Sequence, residues 1–316
     1  MNIDFSLVLV VLSAITGCVW LVDLALLAKP RRQKVETFLA ERKISTADFK
    51  AYVESLGEDG LQNTANKDLT KSTIDNQKID PARQKLLTQA VEIYRDPFPV
   101  EYAKSFFPIL FAVLMLRSFL FEPFQIPTGS MIPTLNVGDF IVVNKFAYGL
   151  RLPVTGTRFL EIGEPKRGDV MVFIPPHDPN YFIKRVIGLP GDKVRYTDNT
   201  VYINDEALPQ DVGVVLDELG VKLSQESVGG LTHSIYTAAT QRFNRNYDWL
   251  QPEGMVIPEG QYFMMGDNRD NSSDSRYWGP ASEANIVGRA VAVWMHKEPG
   301  WHFPSFGQNR FIKNPD

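Results

Sequence analysis

From Phe5 to Val22 the chain carries no charged side chain, and beyond Asp23 the apolar run resumes as Leu24-Ala25-Leu26-Leu27-Ala28. A stretch of this length suits the hydrocarbon core of a bilayer. There a single segment must satisfy its own backbone polar groups, which makes it a helix. A cleavable leader would open on basic residues. This chain opens Met1-Asn2-Ile3-Asp4 and places Lys29, Arg31, Arg32 and Lys34 after the run, so the segment is expected to stay as an anchor. A second apolar stretch, Phe106 to Phe121, carries Arg117 near one end, from which a long side chain reaches the interface. It is expected to span as well, the alternatives being a buried soluble helix or a re-entrant segment.

Basic residues flanking a span mark its cytoplasmic side. Lys29 to Lys34 therefore put residues 29–104 inside, with the N-terminus and everything after Phe121 outside. The inside stretch is polar and poor in aromatics between Ser55 and Pro81, where part is expected to lack fixed structure. It holds no catalytic arrangement. With a formal net charge of -4 and no long basic tract, nucleic acid is an unexpected partner. Cys18, the single cysteine, excludes an intrachain disulfide and a cysteine-based zinc site.

From Gln125 onward, short apolar runs alternate with period two between Gly, Pro, Asn and Asp turns, the texture of a β-rich domain. Expected strands are Asp139 to Asn144, Asp169 to Ile174, Tyr181 to Ile187, Lys193 to Tyr196, Val201 to Ile203, Gln261 to Met265 and Ile286 to Trp294. Residues 205–256 interrupt the rhythm and are expected to form an insertion or small second lobe.

Three segments could carry chemistry. Ser130 lies in Gln125-Ile126-Pro127-Thr128-Gly129-Ser130-Met131-Ile132-Pro133, where two prolines stiffen the flanks of a glycine turn. An ordinary loop serine fits the same pattern, and a serine nucleophile needs a base. No Gly-x-Ser-x-Gly elbow recruits one of the four histidines, and Pro133 stands where a Ser-x-x-Lys pattern needs lysine. In the strand after Tyr181, alternation sets Lys184 between Phe182 and Val186, with Arg185 facing the other way. A lysine starting at about 10.4 costs about 4.6 kcal/mol to hold neutral at pH 7, which burial would have to supply. A lysine reaching solvent beside an edge strand fits equally. The third segment, Gly266-Asp267-Asn268-Arg269-Asp270-Asn271-Ser272-Ser273-Asp274-Ser275-Arg276, is dense in small polar groups that can tie down an irregular loop. It lacks the glycine and closing glutamate of an EF-hand.

In order and wording these segments resemble type I signal peptidases, the Ser-Lys proteases that remove signal peptides from exported proteins. The resemblance covers Glu122 to Leu135, Val137 to Lys145, Arg167 to Val170, Phe182 to Asp192 and Gly266 to Gly279, preceded by two spans as in Gram-negative members. It implies a mainly β fold, a catalytic domain of coiled antiparallel sheets with a smaller inserted lobe, preceded by two transmembrane helices. The implied division is 1–28 first anchor, 29–104 cytoplasmic loop, 105–121 second span and 122–316 periplasmic catalytic domain with the insertion at about 205–256. It implies Ser130 as nucleophile and Lys184 as general base, with Thr128 and the Ser130 N–H as oxyanion donors. Ser272 would orient the lysine, and Asp274 and Arg276 would form a supporting ion pair. Partners would be signal peptides of secretory precursors and membrane lipid, at a bacterial inner membrane, with no cofactor or metal. The chain lacks the cysteine pair that some relatives carry in the second lobe.

Two other readings are weighed. Self-cleaving repressors share the Ser-Lys logic but have no spans and usually carry a DNA-binding domain. A membrane-tethered binding protein or inactive relative would use the β domain as a receptor, against which the intact Ser130, Lys184 and Ser272 argue. For the topology, a reporter fused near residue 65 is expected to behave as cytoplasmic and one fused after residue 300 as external. If protease spares the region after Phe121 in intact spheroplasts and cuts it only once the membrane is opened, the orientation is the reverse.

Overall fold

The computed structural model describes residues 5–62, 80–152, 157–240 and 247–315. They fall into two compact units, Met1–Leu114 and Met115–Asp316.

In the first unit, one helix runs from Phe5–Val22 through a π segment, Asp23–Leu27, into Ala28–Glu41. The basic cluster expected to follow the anchor is thus itself helical. Leu12, Ile15, Leu21, Leu24 and Leu26 all face outward, as do Phe106, Ile109, Phe111 and Val113 of the helix Phe98–Met115. Among the described residues, two helices are long and apolar enough to cross a membrane. Asp23, which breaks the apolar run, is fully buried and bonded to Arg31 at 2.5 Å and Lys104 at 2.9 Å. Asp96 closes the cluster, 2.5 Å from Arg31 and 2.6 Å from Lys104. Two acids and two bases cancel, which lets an aspartate be buried within an apolar run.

The stretch read as a polar loop folds as the helices Ala28–Glu41, Thr46–Gln62 and Pro81–Tyr94 around a core of Val35, Leu39, Phe49, Tyr52, Leu87 and Val91. Their three- and four-residue spacings are the helical period, sparse enough to be masked by the surrounding charges. Of the part expected to lack fixed structure, Ser55 to Gln62 continues the second of these helices. Residues 63–79 lie outside the described residues. The second apolar helix begins at Phe98 and ends in a π segment, Leu116–Leu120. Phe121, expected as the last residue of the span, instead opens the strand Phe121–Gln125. Its Pro123 is accommodated because this strand is the sheet edge.

The second unit is mainly β. Its principal sheet runs Phe121–Gln125, Asp139–Asn144, Ile286–His296, Val170–Phe173, Phe182–Gly188, Gln261–Met265, Ala281–Ser282, with Arg310–Phe311 on the long strand. These pairings are antiparallel, and the sheet curls into a half-barrel. Alternation divides its side chains between two cores. Val170, Val172 and Ile183 join Met131, Leu135 and Ile141 in one, while Met171, Phe173 and Val186 join Tyr262 and Met264 in the other. Covered on both faces, the middle strands can carry a charge only if its partners are buried with it.

The segment 205–256 contributes a three-stranded sheet, Val214–Leu216, Val221–Val228 and Leu231–Ala238. Near its two ends, Glu206–Ala207 and Met255–Val256 pair into a separate sheet with Lys193–Thr197 and Thr200–Ile203.

The long strand Ile286–His296 holds Asp139–Asn144 on one edge and Val170–Phe173 on the other, and its register shifts between Ile286 and Gly288. A Cβ at Gly288 would lie 2.4 Å from the Asn144 carbonyl oxygen and 2.9 Å from a Val143 methyl. Gly288→Ala is therefore expected to push these two strands apart and cost about 1–3 kcal/mol, read as a lowered Tm. An unchanged Tm would show that the close approach is not required.

Candidate active site

Ser130 lies in the 3-10 turn Gly129–Met131, between extended residues at Thr128 and Ile132. Met131 and Leu135, fully buried in the first core, plug this turn against the sheet. Ser130 is itself 7% exposed, and Lys184, from the middle of Phe182–Gly188, is 4% exposed. The Lys184 Nζ donates to Ser130 Oγ at 2.7 Å and to the carbonyl of Ile183 at 2.9 Å, with the Phe182 ring 5.3 Å away. Desolvation pulls its pKa down to about 8, against the fields of Asp274 and Asp267, which favour the charged form. Thr128 Oγ1 stands 3.5 Å from Ser130 Oγ, on an exposed side chain at the mouth of the site.

The neighbouring Arg185 points the other way, as strand alternation requires, and meets Asp267 at 2.7 Å and 2.9 Å. It also donates to the Gly168 carbonyl, while Thr134, just past the turn of Ser130, donates to the same Asp267 at 2.5 Å. Burial alone would raise the Asp267 pKa, but Arg185 and these hydrogen bonds hold it at about 2. Arg185, Asp267 and Thr134 thus join the strand of Lys184 to the segment of Ser130.

The loop after Gln261–Met265 closes the site. Gly266 passes so near Ser130 that a Cβ there would lie 2.5 Å from the Ser130 carbonyl and 2.4 Å from Ser272 Oγ. Asn268 donates its backbone N–H to the Ser130 carbonyl and its side-chain amide to the Gly129 carbonyl, both at 3.0 Å. Asp274 and Arg276, both fully buried, pair at 2.8 Å, and Asp274 also accepts from the Gly266 N–H. Burial opposes the Asp274 charge, but Arg276 beside it outweighs that and holds the pKa below the ordinary value. Arg276 extends to the Arg269 carbonyl at 2.5 Å, and Arg269 pairs with Glu226 of the strand Val221–Val228. His233, on the adjacent strand, lies buried between Glu226 and Asp267, and desolvation lowers its pKa to about 4.

The structure thus brings Ser130, Lys184 and Thr128 together and forms the Asp274–Arg276 pair. It does not join Ser272 to Lys184 by a hydrogen bond. Ser272 Oγ is buried against Gly266 without a partner of ordinary hydrogen-bond geometry, although it helps draw the Asp274 pKa down. Sequence reasoning passed over Gly266, Asp267 and Asn268. Besides lying within the resemblance, they are marked by the density of small polar residues after an apolar strand, which says that a loop is tied down but not to what.

The profile of "Signal peptidase, peptidase S26" matches residues 99–295. The chain is 42% identical to a signal peptidase I of Pseudomonas fluorescens over 330 aligned positions, covering 99% of this chain and 100% of that relative. It is 44% identical to a signal peptidase I of Pseudomonas aeruginosa, covering 93% of each. A solved signal peptidase I of Enterococcus faecalis is 29% identical over 41% of this chain and 98% of its own, with a TM-score of 0.27. With similarity running the length of both Pseudomonas relatives and the family profile covering both segments that meet at the serine and lysine, the chain belongs to the signal peptidase family, peptidase S26, a family of serine hydrolases.

Proposed function

We propose that this signal peptidase removes signal peptides from secretory precursors through a Ser130–Lys184 dyad and an acyl-enzyme. The observation that carries this reading is the 2.7 Å contact between a buried amine and a buried hydroxyl. From the ordinary lysine value of 10.5, neutrality at pH 7 costs about 5 kcal/mol, and from about 8 only about 1.4 kcal/mol. Burial therefore moves the amine into the range where it serves as a base.

In the first step Lys184 Nζ takes the Ser130 proton as Oγ bonds to the scissile carbonyl carbon. The Ser130 N–H and the Thr128 hydroxyl stabilise the oxyanion, each donor being worth about 2.7–4 kcal/mol in comparable sites. The C–N bond then breaks, and the ammonium of Lys184 returns its proton to the leaving amine. Water attacks the ester with Lys184 again as base, releasing Ser130. Asp274 and Arg276 hold the loop that carries Gly266 and Ser272 beside Ser130. A receptor role without catalysis gives no reason to bury a lysine against a serine hydroxyl.

For the anchors, the outward apolar faces of Leu7–Glu41 and Phe98–Leu120 support two spans in a bacterial inner membrane, with lipid as their partner. Residues 29–104 would then be cytoplasmic, and the N-terminus and the catalytic domain, 122–316, periplasmic.

Ser130→Ala is expected to abolish cleavage of a secretory precursor by the detergent-solubilised enzyme while leaving it folded, and comparable processing would remove Ser130 from the reaction. The acidic limb of kcat/KM is expected near pH 8, rising as Lys184 loses its proton. A limb near pH 4 would point to a carboxylate base instead.

Lys184→Met is expected to abolish activity and raise Tm at pH 7. The folded pKa lies below the unfolded one, so the protonated lysine opposes folding fully below pH 8, by about 3 kcal/mol. That penalty fades as pH rises from 8 towards 10.5, and the Tm gain should fade with it. A Lys184→Met protein less stable than wild type at pH 7 would show that the amine is not held against its charge.

A further inference from the structure

Asn268 stands at the start of the 3-10 turn Arg269–Asn271, the place where an asparagine ordinarily caps its own turn. It makes no such cap. Its side chain is directed across to the Gly129 carbonyl at 3.0 Å, while its backbone N–H holds the Ser130 carbonyl at the same distance. Only the amide nitrogen can face a carbonyl oxygen, since the reverse orientation would set two acceptors against each other, so the assignment of nitrogen and oxygen is forced.

The consequence lies in the geometry of one peptide unit. The Gly129 carbonyl and the Ser130 N–H belong to the same planar group. That group is trans, the one cis bond among the described residues being Ile132–Pro133. In a trans peptide the carbonyl and the N–H point in opposite directions. A hydrogen bond that anchors the Gly129 oxygen therefore sets the direction of the Ser130 N–H, and the second bond, to the Ser130 carbonyl, prevents the following peptide from rotating in compensation. The Ile132 N–H also reaches the Gly129 oxygen at 3.2 Å, but it belongs to the turn itself and would move with it. Asn268 is the external reference. It sits next to Asp267, which Arg185 ties to the strand of Lys184, so the aim of the donor is referred to the strand that carries the base.

We infer that Asn268 is a positioning residue that aims the Ser130 N–H at the developing oxyanion by gripping the two carbonyls on either side of the nucleophile. The inference rests on the reading of Ser130 as nucleophile and of its N–H as an oxyanion donor. Asn268 touches neither substrate nor proton. Its removal should thus weaken the transition state while leaving ground-state binding and the titration of Lys184 alone.

The test uses the full chain in detergent, with Asn268→Ala and Asn268→Asp beside Ser130→Ala. The aspartate keeps the shape but opposes a carbonyl with a carboxylate. Deleting an oxyanion donor outright costs about 100- to 1,000-fold in kcat. Mis-aiming one is expected to cost about 10- to 100-fold, with KM within about twofold and the acidic limb of kcat/KM unmoved. A peptide aldehyde, which forms a tetrahedral adduct with the serine, should lose affinity in proportion to kcat. The same peptide ending in an unreactive amide should bind as it does to wild type. A kcat within about threefold of wild type, equal losses for both peptides, or a shifted acidic limb would each overturn the inference. So would failure of both Asn268 variants to fold by near-ultraviolet circular dichroism, which would make the residue structural. If Ser130→Ala retains activity, the reading of the nucleophile fails. If Ser130→Ala is inactive while the Asn268 variants are unimpaired, only the inference about Asn268 fails.

Discussion

Two consecutive basic residues buried in one strand govern the architecture of the catalytic unit. Lys184 and Arg185 lie inside a sheet covered on both faces, where an unpaired charge is costly. Strand alternation sends them to opposite sides, and their chemistry sends them to opposite fates. A guanidinium does not give up its proton, so Arg185 needs the carboxylate of Asp267 and the Gly168 carbonyl beside it. An ammonium can lose its proton. The hydrogen bonds made by Lys184 go to a hydroxyl and a backbone carbonyl, and burial accordingly draws its pKa to about 8. A strand with arginine at both positions would demand a second buried carboxylate, and no group there could lose its proton.

The loop after Met265 is ordered by three buried acid–arginine pairs, Arg185–Asp267, Arg269–Glu226 and Arg276–Asp274. Such pairs add little net stability compared with well-packed apolar groups, yet breaking one leaves an uncompensated buried charge, so each demands a specific geometry. One of the acids, Glu226, comes from the segment that interrupts the β rhythm, and the N–H of Tyr236 in the same hairpin donates to the Asp267 carbonyl. The hairpin Val221–Val228 and Leu231–Ala238 therefore braces the loop that grips Ser130. Gly266 makes this possible, because the loop and the turn of Ser130 approach more closely than a Cβ permits.

The first unit solves a different problem with the same means. Its apolar helices expose their side chains outward, an arrangement suited to lipid. The one acid in the first apolar run is neutralised by Arg31 and Lys104. Of the four basic residues that follow the first apolar run, Arg31 is thus engaged with the buried Asp23, while Lys29, Arg32 and Lys34 are exposed.

Much of this was legible in one dimension. The strands Asp139–Asn144 and Gln261–Met265 fall where period-two alternation put them, and the helices suited to a membrane fall on the apolar runs, since both depend on local pattern. Alternation also separated Lys184 from Arg185. The helices around Tyr52 and Leu87 escaped notice because their apolar positions are few and lie among charges. The pairing of Ser130 with Lys184 entered through resemblance, since residues 54 apart carry no mark of contact. Local pattern in the sequence is enough to place these strands and to put Lys184 and Arg185 on opposite faces. It takes the folded chain to bring the buried lysine to Ser130, to leave Ser272 unbonded to that lysine, and to set Asn268 against the turn of Ser130. Those outcomes depend on how a curled sheet brings distant loops within 3 Å, and a hydrogen bond acts only at that range.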